Sequence, residues 1–178
     1  MNKNLRIAVS GKSGCGNTTV SKILAEQFGL RFINFTFRSL ATEKEISLEE
    51  VLSLAAKDDW WDKEVDRCQL ELARKEGGCV LGSRLAIWML KEADLKVYLR
   101  AKPEVRARRI FQREGGSLED ITAFTAERDK QDRERYQRIY DIDNDDYSFA
   151  DIVIDTDTIE PLQIAELIKN DLVEKGLL

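Results

Sequence analysis

Gly11 and Gly16 are separated by Lys12-Ser13-Gly14-Cys15 and followed by Asn17-Thr18-Thr19. Two glycines with four residues between them, then Lys, then Ser or Thr, is the pattern of a loop whose backbone N–H groups turn inward around phosphates. Here the lysine position holds Asn17, which can donate a hydrogen bond but carries no charge. An apolar run, Ile7-Ala8-Val9, precedes the loop and an amphipathic pattern follows it. Between a strand and a helix, such a loop gains the positive potential of the helix N-terminus. Thr18 or Thr19 can offer a hydroxyl to Mg²⁺. The competing reading is an ordinary glycine-rich turn, but the full spacing with Thr-Thr behind it favours phosphate binding. Losing a cation near transferring phosphates costs several kcal/mol of transition-state stabilisation unless another replaces it. Lys12 inside the loop is one replacement, although it reads equally well as solvent-facing. Arginines downstream are another.

Those arginines are dense between Arg100 and Arg138, where the lysines are only Lys102 and Lys130. Arginine presents a planar fork of donors that meets phosphate in a bidentate way. Arg106, Arg109 and Arg113 stand at i, i+3 and i+7, which places them on one helical face. Gly115-Gly116 then breaks the pattern and can act as a hinge, so the segment reads as a flap closing over phosphates. A solvated charged helix is the alternative. Arg128, Asp132 and Arg135, at i, i+4 and i+7, read either as anion-binding groups or as surface ion pairs.

The elements that must position these residues alternate. Strands are expected over about 5–10, 31–34, "GGCVLG", "DLKVYLR" and "ADIVIDT". Helices are expected over 18–28, 103–113, 118 to about 140 and 161–173, with a largely helical stretch from Phe37 to about Lys75. In that stretch Ser47 and Glu50 have capping-box spacing. Strands separated by helical patterns predict an α/β fold, a parallel sheet covered on both faces. In "DDWWDKEVDRCQLELA", Trp61, Val65, Cys68 and Leu72 form an apolar stripe, with Asp62, Asp66 and Gln69 on the adjacent polar face. Trp60 and Trp61 read as packing residues.

The 178 residues suffice for one domain with a real core. The absence of histidine excludes imidazole acid–base catalysis, His-dependent triads and histidine metal ligands. A net charge of −5 disfavours a nucleic-acid partner. No apolar run approaches the ~18 residues of a membrane span. Cys15, Cys68 and Cys79 read as reduced thiols, and the N-terminus carries no signal-peptide pattern, so a cytoplasmic protein is expected.

Four segments in order, over nearly the whole chain, resemble the cytidylate kinases in their short form without a large inserted domain. They are "SGKSGCGNTTVSKILAEQFGL", "FRSLATEKEISLEEV", "VLGSRLAIW…ADLKVYLRAKPEVRARRI" and "ERDKQDRERYQRIYDIDNDDYSFADIVIDTD". The resemblance implies a five-stranded nucleoside monophosphate kinase fold of the phosphate-loop type. It implies one domain over 1–178, with an acceptor-binding segment at about 31–75 and a lid at about 103–135. It implies transfer from ATP to CMP, and to dCMP, with Mg²⁺ as cofactor. Gly11, Lys12, Ser13, Gly14, Cys15, Gly16, Asn17, Thr18 and Thr19 would hold the ATP phosphates, with Thr18 on the metal. Arg38, Arg84, Asp132 and Arg135 would bind the acceptor nucleotide, and Asp62 or Asp66 would read its base. Arg106, Arg109, Arg113 and Arg128 would act from the lid and the helix behind it. No nucleic-acid or membrane partner is implied, and a monomer is expected. Two departures stand out: Asn17 in place of lysine, and Gly82 where the family often has an acidic residue before Gly-Arg. Two other readings stay open, a catalytically weak nucleotide-binding module and a kinase of another small acceptor on the same fold.

Overall fold

A computed structural model of the chain describes residues 3–178. Met1 and Asn2, the start of the expected leaderless N-terminus, lie outside them. Five strands form one parallel sheet: β1 (Arg6–Ser10), β2 (Arg31–Ile33), β3 (Cys79–Gly82), β4 (Leu95–Arg100) and β5 (Ile152–Asp155). Their spatial order is β2-β3-β1-β4-β5. The helices are α1 (Asn17–Phe28), α2 (Phe37–Lys44), α3 (Leu48–Ala55), α4 (Trp60–Arg74), α5 (Ala86–Met89), α6 (Pro103–Glu114), α7 (Leu118–Tyr140) and α8 (Pro161–Glu174).

Strand alternation divides the core in two. Ile7 and Val9 of β1, with Val80, Val97 and Leu99, pack against Val20 and Leu24 of α1 and Ile164, Ile168 and Leu172 of α8. Ala8, Leu81 and Tyr98 point the other way, onto Ala86, Ile87 and Leu90 around α5 and Ala73 of α4. A sheet buried on both faces explains why its central strands read as continuous apolar runs. The expected architecture is therefore observed.

The long stretch expected as largely helical divides into three helices. Thr36 caps α2 by accepting from Ser39 N–H, while the Ser39 hydroxyl accepts from Thr36 N–H. Glu45, at φ 57°, ends α2 in the left-handed region. Ser47 then caps α3 by accepting from Glu50 N–H at 3.1 Å. These turns fold the segment back over the open end of the sheet. α5 follows β3 with no comparable sequence signal, being a single short turn of Ala-Ile-Trp-Met. Among the described residues, no helix is long and apolar enough to cross a membrane.

The sheet also accounts for Gly82. A Cβ built there would lie 2.5 Å from Ser21 Oγ and 2.9 Å from Ser21 Cβ. Ser21 is wholly buried on α1, so α1 approaches β3 too closely for an acidic side chain at position 82. Gly82→Ala is expected to destabilise the protein by about 1–3 kcal/mol through overpacking, read as a lowered urea midpoint with an unchanged slope, and Gly82→Asp by more.

Candidate active site

A cleft of about 840 Å³ lies at the carboxyl ends of β1 and β3, where open α/β sheets place ligands. The phosphate-type loop forms one end. Gly14 sits at φ 86°, and a Cβ there would lie 2.9 Å from Arg106 O, so the loop is pressed against the first turns of α6. The N–H groups of Asn17, Thr18 and Thr19 lie ahead of the first helical hydrogen bond of α1, Val20 N–H to Gly16 O at 3.0 Å. They remain outside the helix ladder and line the cleft. Cys15 differs: its N–H turns inward to Lys12 O at 3.1 Å. Burial pushes its thiol up to about 11, so the side chain is a neutral core group.

Asn17 ties the loop to itself. Its Nδ2 donates to Gly11 O at 2.5 Å, while its Oδ1 is buried without a partner. The amide therefore stabilises loop shape instead of extending toward a ligand. Lys12 forms an ion pair with Asp145 at 2.6 Å and borders both the cleft and a smaller hollow beside it. Thr18 Oγ1 accepts from Asn34 Nδ2 at 3.3 Å, which leaves the hydroxyl exposed in the cleft with a free lone pair. Among the described residues, no group of three or more His, Cys, Asp or Glu side chains is arranged to hold a metal alone. One hydroxyl fits Mg²⁺ arriving with a polyphosphate, because that ion keeps water and phosphate oxygens as most of its ligands.

The three α6 arginines do not share one role. Arg106 is only 4% exposed. It donates to Ser13 O at 3.2 Å and grips Asp129 of α7 in a bidentate pair at 3.2 and 2.6 Å. It does not line the cleft. The expectation that it faces phosphates from a flap is corrected: the start of α6 lies against the loop, so its first arginine is buried as a brace. Arg109 lines the cleft and donates to Gly14 O and to Thr156. Arg113 stands at the rim, half-free, beside Glu114.

The middle of the cleft is built on Asp132, which is 6% exposed. Its two oxygens meet Arg84 Nε at 3.2 Å and Arg135 Nη2 at 2.7 Å. Arg135 Nε also lies 3.3 Å from Asp62. Arg128 lines the same wall. Burial and the neighbouring Arg84 lower its pKa, and it forms no ion pair among the described residues. Arg38, exposed at the start of α2, also lines the cleft. Arg38, Arg84, Arg128 and Arg135 thus line one cleft. Asp132 orients two of them and is not itself among the residues lining the cleft.

Leu48, Leu52, Asp62, Val65, Asp66 and Gln69 close the far end. The "polar face" of α4 is thus the inward face; Asp62 and Gln69 are buried. Burial raises the Asp62 pKa against the pull of Arg135. Burial pushes Asp66 up to about 6, although Tyr140 donates to its Oδ2 at 2.6 Å. Sequence reading missed Asn34, Gln69 and Tyr140 as site residues. Asn34 had its place just past β2 as a signal. Tyr140, at the far end of a 23-residue helix, had none.

Residues 6–158 match the cytidylate kinase-like family. This chain belongs to that family. It is 48% identical to a cytidylate kinase 2 from Borrelia garinii subsp. bavariensis over an alignment of 177 positions that covers 97% of this chain and 99% of that one. It is 45% identical to a cytidylate kinase from Pyrococcus horikoshii over 167 residues, 93% of this chain and 86% of that one. Its fold is shared with the shikimate kinase from Acinetobacter baumannii solved with shikimate, at TM-score 0.65, 18% identity and coverage of 98% and 96%. It is shared also with the deoxyadenosine kinase from M. mycoides with bound dATP, at TM-score 0.57, 16% identity and coverage of 94% and 99%.

Two stability predictions follow from this geometry. Arg106→Met leaves Asp129 and Ser13 O without their buried donor and is expected to cost about 3 kcal/mol, measured by urea unfolding. Asp66 titrates near 6 when folded and near 3.9 unfolded. Between these values the folded state holds more protons, so stability falls as pH rises from about 4 to 6. Asp66→Asn is therefore expected to raise stability at pH 7 to 8 by roughly 3 kcal/mol, with the gain disappearing below about pH 4.

Proposed function

We propose that this protein transfers the γ-phosphoryl group of ATP to CMP, and to dCMP, giving ADP and the nucleoside diphosphate. The observation that carries the reading is the layout of one cleft. A phosphate-type loop lies at one end, a base-sized polar wall at the other, and arginines without full compensation stand between them. Membership in the cytidylate kinase-like family supports it.

The acceptor oxygen is already anionic, so attack on the γ-phosphorus requires no general base. The new P–O bond forms as the bond to the β-bridging oxygen breaks, and ADP leaves with that electron pair. Catalysis is then positioning and charge stabilisation. The loop residues Gly11 to Thr19 bind the donor phosphates through backbone N–H groups. Arg84, Arg128, Arg135 and Arg38 hold the acceptor phosphate, and Arg109 and Arg113 approach from the α6 side. Thr18 would hold Mg²⁺ through its hydroxyl, and the ion would supply neutralisation of the donor's phosphate charge. Lys12, released from Asp145, supplies the cation that Asn17 does not.

The chain works as one domain, residues 31–75 taking the acceptor and 103–135 forming a lid that excludes water. A monomer in the cytoplasm, acting on small nucleotides without nucleic acid or membrane, completes the reading. The test is a transfer assay with ATP, Mg²⁺ and separate CMP, dCMP, UMP, AMP and GMP acceptors, quantifying both products. Fastest turnover with CMP and dCMP is expected. Binding of ATP without transfer to any acceptor would replace this reading with that of a nucleotide-binding module; faster transfer to another acceptor would assign a different kinase. Lys12→Ala is expected to lower kcat by about 10²–10³, while Asp145→Ala keeps activity.

A further inference from the structure

Gln69 is 5% exposed, yet it lines the far end of the cleft. Its Nε2 donates to Asp66 Oδ1 at 3.3 Å. Its Oε1 is buried with no hydrogen-bond partner. A buried carbonyl oxygen normally finds a donor, and Gln69 borders the cleft, so a ligand bound there can bring one.

The two ends of a glutamine amide are distinguished by what they meet. Asp66 accepts from Tyr140 OH on its other oxygen. Burial and the neighbouring Asp66 push the Tyr140 phenol well above its ordinary value, so it remains the donor of that pair. The Asp66 oxygen nearest Gln69 is therefore an acceptor and requires the NH₂ end. Oε1 is turned away from it. Tyr140, Asp66 and Gln69 form a chain of hydrogen bonds with one polarity. Asp62, the other candidate base reader, is already engaged by Arg135.

We propose that Gln69 Oε1 is the acceptor that selects an amino-bearing pyrimidine, with Asp66 as the positioning residue that fixes its amide. This rests on the CMP kinase reading and deepens it. The cytosine 4-amino group donates to Oε1. The uracil 4-carbonyl would oppose it lone pair to lone pair. Turning the amide over to suit uracil would set Oε1 against the Asp66 carboxylate. A site built to hydrogen-bond one group rejects the analogue that lacks it, because its own buried group is left unpaired.

The experiment compares kcat/KM for CMP and UMP, with ATP and Mg²⁺, in the wild type, Gln69→Met and Asp66→Asn. Circular dichroism checks folding. Gln69→Met is expected to lose about tenfold or more with CMP while UMP changes less than about threefold. Asp66→Asn can present an N–H to Oε1, so the Gln69 amide turns freely and the CMP:UMP ratio narrows from the UMP side. An unchanged ratio in an active Gln69→Met enzyme overturns this proposal alone, as does an equal loss with both nucleotides, which marks a structural role. If Gln69→Met does not fold, the ratio in Asp66→Asn decides: narrowing supports the proposal and no change overturns it. A wild type that transfers nothing to CMP overturns the function and this inference together.

Discussion

Asp132 is the contact on which the middle of the cleft depends. Arg84, Arg128 and Arg135 converge from β3 and α7, and guanidinium groups brought this close repel one another in the absence of an anion. Asp132, held between Arg84 and Arg135, and Asp62 beside Arg135 relieve that repulsion without neutralising all three guanidinium groups. Arg128 is left over, and burial already disfavours its charge. Such an arrangement is short of negative charge and is suited to receive a phosphate. The arginines need little reorganisation to receive it, which is how fixed charge serves a phosphoryl transfer. Arg106 and Asp129 repeat the device one turn earlier on α7, as a closed pair beneath the phosphate loop. α7 thus supplies internal counterions for Arg84 and Arg135 through Asp132 and for Arg106 through Asp129.

Much of this was legible in the sequence because periodicity and spacing carry it. The five strands, the loop and most helices follow from alternation, glycine placement and caps, and they stand where those signals put them. The clustering of Arg84, Arg128 and Arg135 was legible only through resemblance, since residues that far apart meet by topology. Helical spacing failed at Arg106. An i, i+3, i+7 row defines one face, but it does not say what each turn of that face meets, and here the first turn meets the loop backbone. On α4 the same spacing groups Asp62, Asp66 and Gln69 on one polar face without saying whether that face meets solvent or a cleft. The turns at Glu45 and Ser47 fold α2 and α3 across the sheet's open end, so the polar side of α4 becomes an inner wall.

Gln69 and Asp66 make the far end costly in the empty protein. A carboxylate with a raised pKa and an unpaired amide oxygen lie side by side behind apolar Leu48, Leu52 and Val65. Groups that destabilise the empty site and point into a cleft are the usual mark of a binding function, since a core built for stability alone would pair or remove them.

The opening difficulty, a phosphate loop without its lysine, comes down to a comparison of charges. Asn17 binds the loop's own carbonyl, so position 17 shapes the cradle and supplies no cation. Lys12 is held by Asp145 in a pair that is about one-third exposed on both sides, the kind worth no more than about 1 kcal/mol. Asp145 also lies 3.3 Å from Arg133. If Lys12 turns to a triphosphate, Asp145 keeps a cationic partner and no buried charge is abandoned. A weak, shared surface pair would be exchanged for contact with a polyanion, so Lys12 can leave it at little energetic cost.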